Sequence, residues 1–399
     1  MLTLYPFFLA QILCFQEVAE LTLENSPQLQ IQADLVGKRI GDHLQAKVIP
    51  NPVFTYTVEN VLGTNEWQGW RDAKEEYDLT QAIETGGKRR YRSIAAGLAV
   101  TEAEQQLEVS RLVVLNRLKK LFIETAGLQE LLQLADEKAA NGEEIVRNLE
   151  NQVAEGKISP IQLQKVKIEL ANALFLKEKV KGDLQQVREE LALEWGGPYP
   201  DFDAVFFDLY NLESPYTCAQ SELGNHPLLL QWEYRRRGME ETVNYQKSLS
   251  IPNLFFTVGY KTEQKNKGFV FELSFPLPFF DRNQGNILKA EFDEQSAITE
   301  LTANQTRLQT QMRTAIKQTA RNFKEAIYLR DSILKSAEDA YSLSSEGYQQ
   351  GKYPHLDVLN AHQTLFDIQE QFINALVRTH ASQVDIDYLI PSNVVKGNP

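Results

Sequence analysis

At 399 residues the chain has room for two or three ordinary globular domains, yet its 43% hydrophobic residues are dispersed through Gln/Glu/Leu/Ala/Lys-rich stretches and its mean hydropathy is -0.36, a composition suited to long bundled helices. A formal charge of -13 argues against a general nucleic-acid binder, which a polyanion would repel. Two cysteines, Cys14 and Cys218, supply neither a disulfide framework nor a zinc spacing, and no run of 18 apolar residues is present to act as a single-helix anchor.

The first segment, 1–15, contains the uncharged and mostly apolar stretch LTLYPFFLAQILCF. It has the length of a signal-peptide core but no preceding Lys or Arg and no small-x-small cleavage site, so it reads as a truncated or atypical export signal. Ile12-Leu13-Cys14 lacks the small residue expected before a lipidated cysteine.

Residues 16–195 form a first repeat. An amphipathic helix over about 16–46 carries the turn Asn25-Ser26-Pro27. A β-hairpin follows at about 48–83, where Phe54, Tyr56 and Val58 alternate with Thr55, Thr57 and Glu59, and a second stretch carries Tyr77, Leu79 and Ile83. Alternation of period two puts the two sets on opposite faces of a strand. The basic cluster Lys88-Arg89-Arg90 with Arg92 reads as a solvated or anionic-lipid-facing turn. Residues 88–155 contain no proline and predict one continuous helix of roughly 100 Å at 1.5 Å per residue. The chain reverses at Gly156-Lys157 and returns as a helix over 160–195.

After an inter-repeat segment at 196–221, rich in Pro, Gly and aromatic residues, the pattern recurs over 222–390 and leaves a tail at 391–399. ENSPQLQIQ (24–32) is echoed by GNHPLLLQW (224–232), IPNPVFT (49–55) by IPNLFFT (251–257), and EGKISPIQL (155–163) by QGKYPHLDVL (350–359). The second repeat therefore predicts a helix over 220–247 and a hairpin at about 250–277, while the cluster Arg235-Arg236-Arg237 reads, like the first, as a solvated or anionic-lipid-facing turn. In that hairpin Phe256, Val258 and Tyr260 alternate, followed by Phe269, Phe271, Leu273 and Phe275. A long helix over 284–350, a break at Gly351-Lys352 and a return helix over 355–389 complete it. Ile327, Leu334, Tyr341 and Tyr348, duplicated as Leu132, Ala139, Val146 and Val153, recur every seven residues and mark a packing seam.

Four strands cannot close a membrane barrel, whose smallest forms use about eight. The hairpins are therefore either parts of a barrel shared between copies or soluble ribbons on a coiled-coil protein. Lipid would be met by Phe54, Tyr56, Phe256, Val258, Phe269 and Phe271.

LTLENSPQL (21–29), Pro50-Asn51-Pro52 with Glu59-Asn60, QAIETGGKR (81–89) and above all FPLPFFDRNQGN (275–286) carry a resemblance to the TolC outer-membrane factors, and within them to the cobalt-zinc-cadmium branch, over about 15–390. The resemblance implies a mainly α fold with a small β part, assembled as a homotrimer with a 12-stranded outer-membrane barrel and a periplasmic α-helical barrel. It also implies an inner-membrane resistance-nodulation-division pump and a periplasmic adaptor as partners. Gly156, Lys157, Ser159, Pro160, Gly351, Lys352 and Pro354 would then be the adaptor-docking tips. Asp357 matches an acidic constriction and Tyr348 an aromatic residue of the closed state. Asn360 and Gln162 stand where further aspartates often occur, which thins the ring. From the residues alone, Asp357 is equally an acidic group favourable to a helix N-terminus and Tyr348 a seam residue.

Metal sites need three or four converging ligands, and no HExxH or CxxC occurs; His355 and His362, seven apart near Asp357, are weak candidates that read as solvated. No nucleophile-base pair, P-loop or dinucleotide fingerprint is present, so neither catalysis nor a cofactor is expected. The functional expectation is an outer-membrane exit duct for heavy-metal cations. A drug-efflux or type I secretion duct of the same fold, or a non-channel periplasmic coiled-coil scaffold, are the alternatives.

Overall fold

The computed structural model describes residues 12–156, 158–214 and 220–390, with side chains left aside at 220–222 and 355. Lys157, Cys218, most of the expected export segment and the 391–399 tail lie outside the described residues. In chain order the elements are β1 (Ile12–Cys14), α1 (Phe15–Asn25), α2 (Pro27–Lys47), β2 (Val53–Glu59), β3 (Lys74–Ile83), α3 (Lys88–Ala154), α4 (Pro160–Leu193), β4 (Ala204–Phe206), α5 (Pro227–Leu249), β5 (Leu254–Glu263), β6 (Asn266–Ser274), α6 (Gln284–Tyr328), a π-helical turn (Leu329–Leu334), α7 (Lys335–Gln349) and α8 (His355–Leu389). The fold is mainly α with a small β part, as expected.

Two corrections concern helices. The expected 16–46 helix is two, because Pro27 lacks an amide proton and Ser26 takes an extended conformation (ψ 120°) between α1 and α2. The expected continuous 284–350 helix contains the π turn. Its origin lies in the repeats: buried Ala103, Ser110, Val114, Leu118 and Thr125 of α3 recur as Ala297, Asn304, Leu308, Met312 and Thr319 of α6 at a constant offset, whereas Gly156 and Gly351 are one residue further apart. The second repeat carries one extra residue below Thr319, and a turn bonded i to i+5 accommodates it without unwinding the helix.

The chain divides into two compact units. One comprises Gln32–Glu108 and Pro227–Thr306 and holds the four-stranded sheet, in the order β2-β3-β5-β6 and antiparallel throughout. The two hairpins are thus neighbours, joined by β3 and β5, and the outer edges are β2 and β6.

The other unit comprises the N-terminal stretch to Ile31, Val109–His226 and the chain from Arg307 onward. Here β1 pairs in parallel with β4, which gives Ile12–Cys14 a structural place in the inter-repeat region. Leu13, Val18, Leu118, Phe122, Leu191 and Val205 bury against one another around this pair. A second core joins Ile123, Leu209, Ala326, Leu329, Phe372 and Leu376. At about 25 cal/mol per Å² of apolar area, each fully buried Val, Leu, Ile or Phe side chain among them contributes about 1.5–3 kcal/mol. Among the described residues no helix is long and apolar enough to cross a membrane.

Candidate functional site

Cross-strand register sorts the side chains of the sheet. The rows Phe54–Leu79–Val258–Phe271 and Tyr56–Tyr77–Tyr260–Phe269 run across all four strands, and Phe256 stands beside Leu273 on the same face. All six lipid-facing candidates therefore share one side. These residues are exposed, Phe269 to 73% and Phe271 to 70%, although exposed aromatics in such a contiguous patch are unfavourable in water. Tyr56 stacks on Tyr77 at 4.8 Å between ring centroids. The opposite face carries Thr55, Thr57, Glu76, Asp78, Thr80, Thr257, Lys261 and Glu272. At the junction of the repeats the hydroxyls of Thr80 and Thr257 lie 2.9 Å apart. A sheet with one mainly apolar and one mainly polar face, its edges β2 and β6 unpaired among the described residues, suits a wall between lipid and an aqueous bore.

The corners beneath this sheet are locked by polar contacts. Lys88 is only 4% exposed, and its ammonium donates to the Ile251 carbonyl and to the side-chain oxygen of Asn253. Thr85 donates to the Pro252 carbonyl. Arg92 makes two hydrogen bonds to Glu84, at 2.6 and 3.1 Å, and donates to the Ala46 and Val48 carbonyls at 3.0 and 3.2 Å. The Arg92 hydrogen bond holds the Glu84 carboxyl below the usual carboxylate range, while burial pushes the Lys88 ammonium down. The basic cluster is therefore not a solvated turn: only Arg89 and Arg90 are exposed. Arg235-Arg236-Arg237 lies within α5 rather than in a turn, with Arg237 exposed and Arg235 and Arg236 half-buried. Arg236 pairs with Glu233 and Glu240, Arg235 lies over Trp232, and Arg237 lies over Tyr234.

In the other unit the helices reverse at two turns of the same construction. Gly156 and Gly351 have φ of 71° and 70°, a left-handed conformation open to glycine at little cost. Ser159 caps α4, its hydroxyl accepting from the Ile161 amide at 3.2 Å, and Pro160 is the first helical residue. Pro354 stands before α8, and Asp357 lies exposed in the first turn of that helix, where a carboxylate meets the positive end of the macrodipole. Gln162, Lys352 and Asn360 are exposed, and Tyr348 is 37% exposed at the end of α7, its carbonyl accepting from the Gly351 amide at 2.9 Å. The tips share an apolar cluster of Val146, Leu149, Leu163 and Val166, against which Leu359 of α8 packs. The two reversals are thus held together, and Gln162 and Asp357 sit in the first turns of the helices leaving them.

His362 is not a solvated ligand. Its ring stacks on Tyr341 at 4.7 Å and meets Phe366 edge-on at 4.5 Å, and burial, with Lys138 nearby, pushes its pKa down. Among the described residues no three His, Cys, Asp or Glu side chains converge as a metal site. Periodicity held no signal for His226 and His380. The His226 ring is buried and the His380 ring half-buried, against the inter-repeat region and α8; His226 donates to the Tyr388 carbonyl at 3.2 Å and His380 to the Leu209 carbonyl at 2.9 Å.

Comparison with known proteins gives a consistent likeness. The family described as "Outer membrane efflux protein" matches residues 18–197 and 218–390. The cobalt-zinc-cadmium resistance protein CzcC of Cupriavidus metallidurans is 29% identical over 98% of this chain and 93% of its own. The nickel-cobalt-cadmium resistance protein NccC of Alcaligenes xylosoxydans xylosoxydans is 24% identical over 72% of this chain and 64% of its own. Among solved structures, the outer membrane protein VceC of Vibrio cholerae superposes with a TM-score of 0.78 at 18% identity, covering 94% of this chain and 95% of that one.

Proposed function

Because the chain belongs to the outer membrane efflux protein family, we propose that it is the exit duct of a tripartite efflux system, with three copies closing one twelve-stranded barrel and continuing as a helical tunnel through the periplasm. The protein resides in the outer membrane and serves efflux. The observation that carries the duct reading is the four-stranded sheet, mainly apolar on one face, mainly polar on the other and, among the described residues, unpaired at β2 and β6. In hydrocarbon each unsatisfied backbone group costs several kcal/mol, so the edges must meet strands of other copies.

Transport through such a duct is passive. A resistance-nodulation-division pump in the inner membrane supplies the energy, a periplasmic adaptor docks at the tips around Gly156, Ser159, Pro160, Gly351, Lys352 and Pro354, and the bore conducts what they deliver. Heavy-metal cations are the proposed cargo. The names of CzcC and NccC state resistance to such metals, and both are similar to this chain. Three symmetry-related Asp357 carboxylates around a narrow entry would favour cations. Tyr348 at the end of α7 would brace the closed state.

The test combines fractionation with conductance. The protein should stay with outer membranes through salt and carbonate washing, should form a hollow particle in detergent, and should conduct ions in planar bilayers. A carbonate-released, water-soluble monomer would instead mark a periplasmic scaffold. Deletion of the gene should sensitise cells to divalent metals; sensitivity to organic drugs alone would point to a drug duct.

A further inference from the structure

The seam between the repeats inside one chain predicts the seam between copies. Hairpin pairing places Thr80 opposite Val53 and Ser274 opposite Phe255, and IPNPVFT aligns with IPNLFFT so that Val53 corresponds to Phe255. Ser274 is therefore the second-repeat counterpart of Thr80, and Thr55 the first-repeat counterpart of Thr257. The β3–β5 junction pairs Thr80 with Thr257 and Tyr77 with Tyr260. We propose that β6 of one copy pairs antiparallel with β2 of the next in the corresponding register, with Ser274 opposite Thr55, Glu272 opposite Thr57 and Phe271 opposite Val58. This rests on the shared-barrel reading and gives it a definite register.

Four observations support it. First, strands alternating in direction across the order β2-β3-β5-β6 leave the two edges running oppositely, so identical copies join head to tail without inversion. Second, the transferred register keeps faces together: Phe271 meets Val58 on the apolar side and Glu272 meets Thr57 on the polar side, where a one-residue slip would invert every side chain. Third, the Thr80–Thr257 hydroxyl pair, 2.9 Å apart, recurs as a hydroxyl pair, Ser274 with Thr55.

Fourth, the corners agree. Thr85 and Lys88 grip Ile251, Pro252 and Asn253 within the chain. The same offset brings Phe279 and Arg282 of one copy to Ile49, Pro50 and Asn51 of the next. Phe279 is 68% exposed, Phe280 is 94% exposed, and Arg282, whose guanidinium donates to the nearby Pro278 carbonyl at 3.3 Å, is exposed where its counterpart Lys88 is buried. The receiving corner borders an open groove of about 770 Å³ whose lining includes Lys47, Arg89 and Arg90, and the arriving corner carries Asp281.

The register also closes. From Thr55 the pairing leads to Asp78, Gly259 and Val270, and then to Glu59 of the next copy, a shift of four residues per copy. Around three copies the shear equals the strand number. The same ratio in eight-stranded barrels gives a tilt of about 36°, within the range of membrane barrels.

The test is disulfide trapping in membranes. Directly opposed antiparallel residues have Cα separations that a disulfide spans. Chains carrying Ser274→Cys with Thr55→Cys, or Glu272→Cys with Thr57→Cys, should give dimer and trimer bands on oxidation that collapse with reductant. The two-residue slip, Ser274→Cys with Thr57→Cys, should give about tenfold less, and the single variants report the background from Cys14 and Cys218. Light scattering on the same samples separates the outcomes. A three-copy particle that cross-links only in the slipped pair, or in no pair, overturns the register alone, whereas a monomer overturns the shared barrel with it.

Discussion

Gly259 stands opposite Asp78 across the β3–β5 junction, and a methyl group placed on Gly259 would run into the Asp78 carboxylate. The joint between the two repeats thus depends on a missing side chain, on the polar face of a sheet whose other face is aromatic. One oxygen of Asp78 is buried without a hydrogen-bond partner among the described residues, so the carboxylate has little to lose by moving or by being shortened.

Gly259→Val should therefore weaken the junction by about 1–3 kcal/mol, the usual cost of overpacking. The measurement is the temperature at which the detergent-solubilised assembly dissociates on gels. Adding Asp78→Ser should restore much of the loss; no recovery would mean that the clash is not with Asp78.

Phe271 ends an apolar row that begins at Phe54, whereas its neighbour Glu272 points to the polar face. Phe271→Arg should block stable insertion, since an arginine on the lipid face costs about 2–4 kcal/mol near the bilayer midplane. Glu272→Arg should insert normally. Resistance to carbonate extraction distinguishes the two, and equal behaviour would mean that the faces have been assigned the wrong way round.

Asp357 lies exposed in the first turn of α8. Neutralising it as Asp357→Asn should reduce cation preference, read as a shift of reversal potential toward zero under a salt gradient in planar bilayers. Loss of the favourable macrodipole contact should cost only about 0.3–1 kcal/mol, leaving assembly intact. Unchanged selectivity would confine Asp357 to its helix-terminal role.

The buried ring of His226 and the half-buried ring of His380 are both pushed below their usual pKa, chiefly by desolvation of the charged form. The unfolded chain, titrating near pH 6.5, then binds protons more readily than the folded one. Stability from these sites is complete above that pH and declines as pH falls toward the folded-state values. The thermal midpoint should drop between pH 7.5 and pH 5, and His226→Gln with His380→Gln should flatten the profile; an unaltered slope would place the pH dependence elsewhere.

Much of this arrangement was legible in the chain. Strand alternation marked Phe54, Tyr56, Phe256, Val258, Phe269 and Phe271, and the register puts all six on one face. Duplicated Gly-Lys steps marked the reversals at Gly156 and Gly351. Charge clusters were misleading, because a basic run has the same composition whether it is solvated or, like Lys88, buried against carbonyls from the other repeat. His362 was misleading for a similar reason: its stacking partner Tyr341 lies across the helical hairpin. The π turn leaves no legible mark in the chain, since one inserted residue leaves a helical pattern nearly unchanged over any short window.

By itself the sequence determined the repeat, the order of the long helices and the two hairpins and the two faces of each hairpin strand, because periods of two, 3.6 and seven are local properties of neighbouring residues. Only the tertiary structure decided that β3 pairs with β5, leaving β2 and β6 as edges, and that Lys88 finds its acceptors 163 and 165 residues away. Such pairings depend on which distant segments satisfy one another's backbone and bury one another's side chains, and no local pattern specifies that choice.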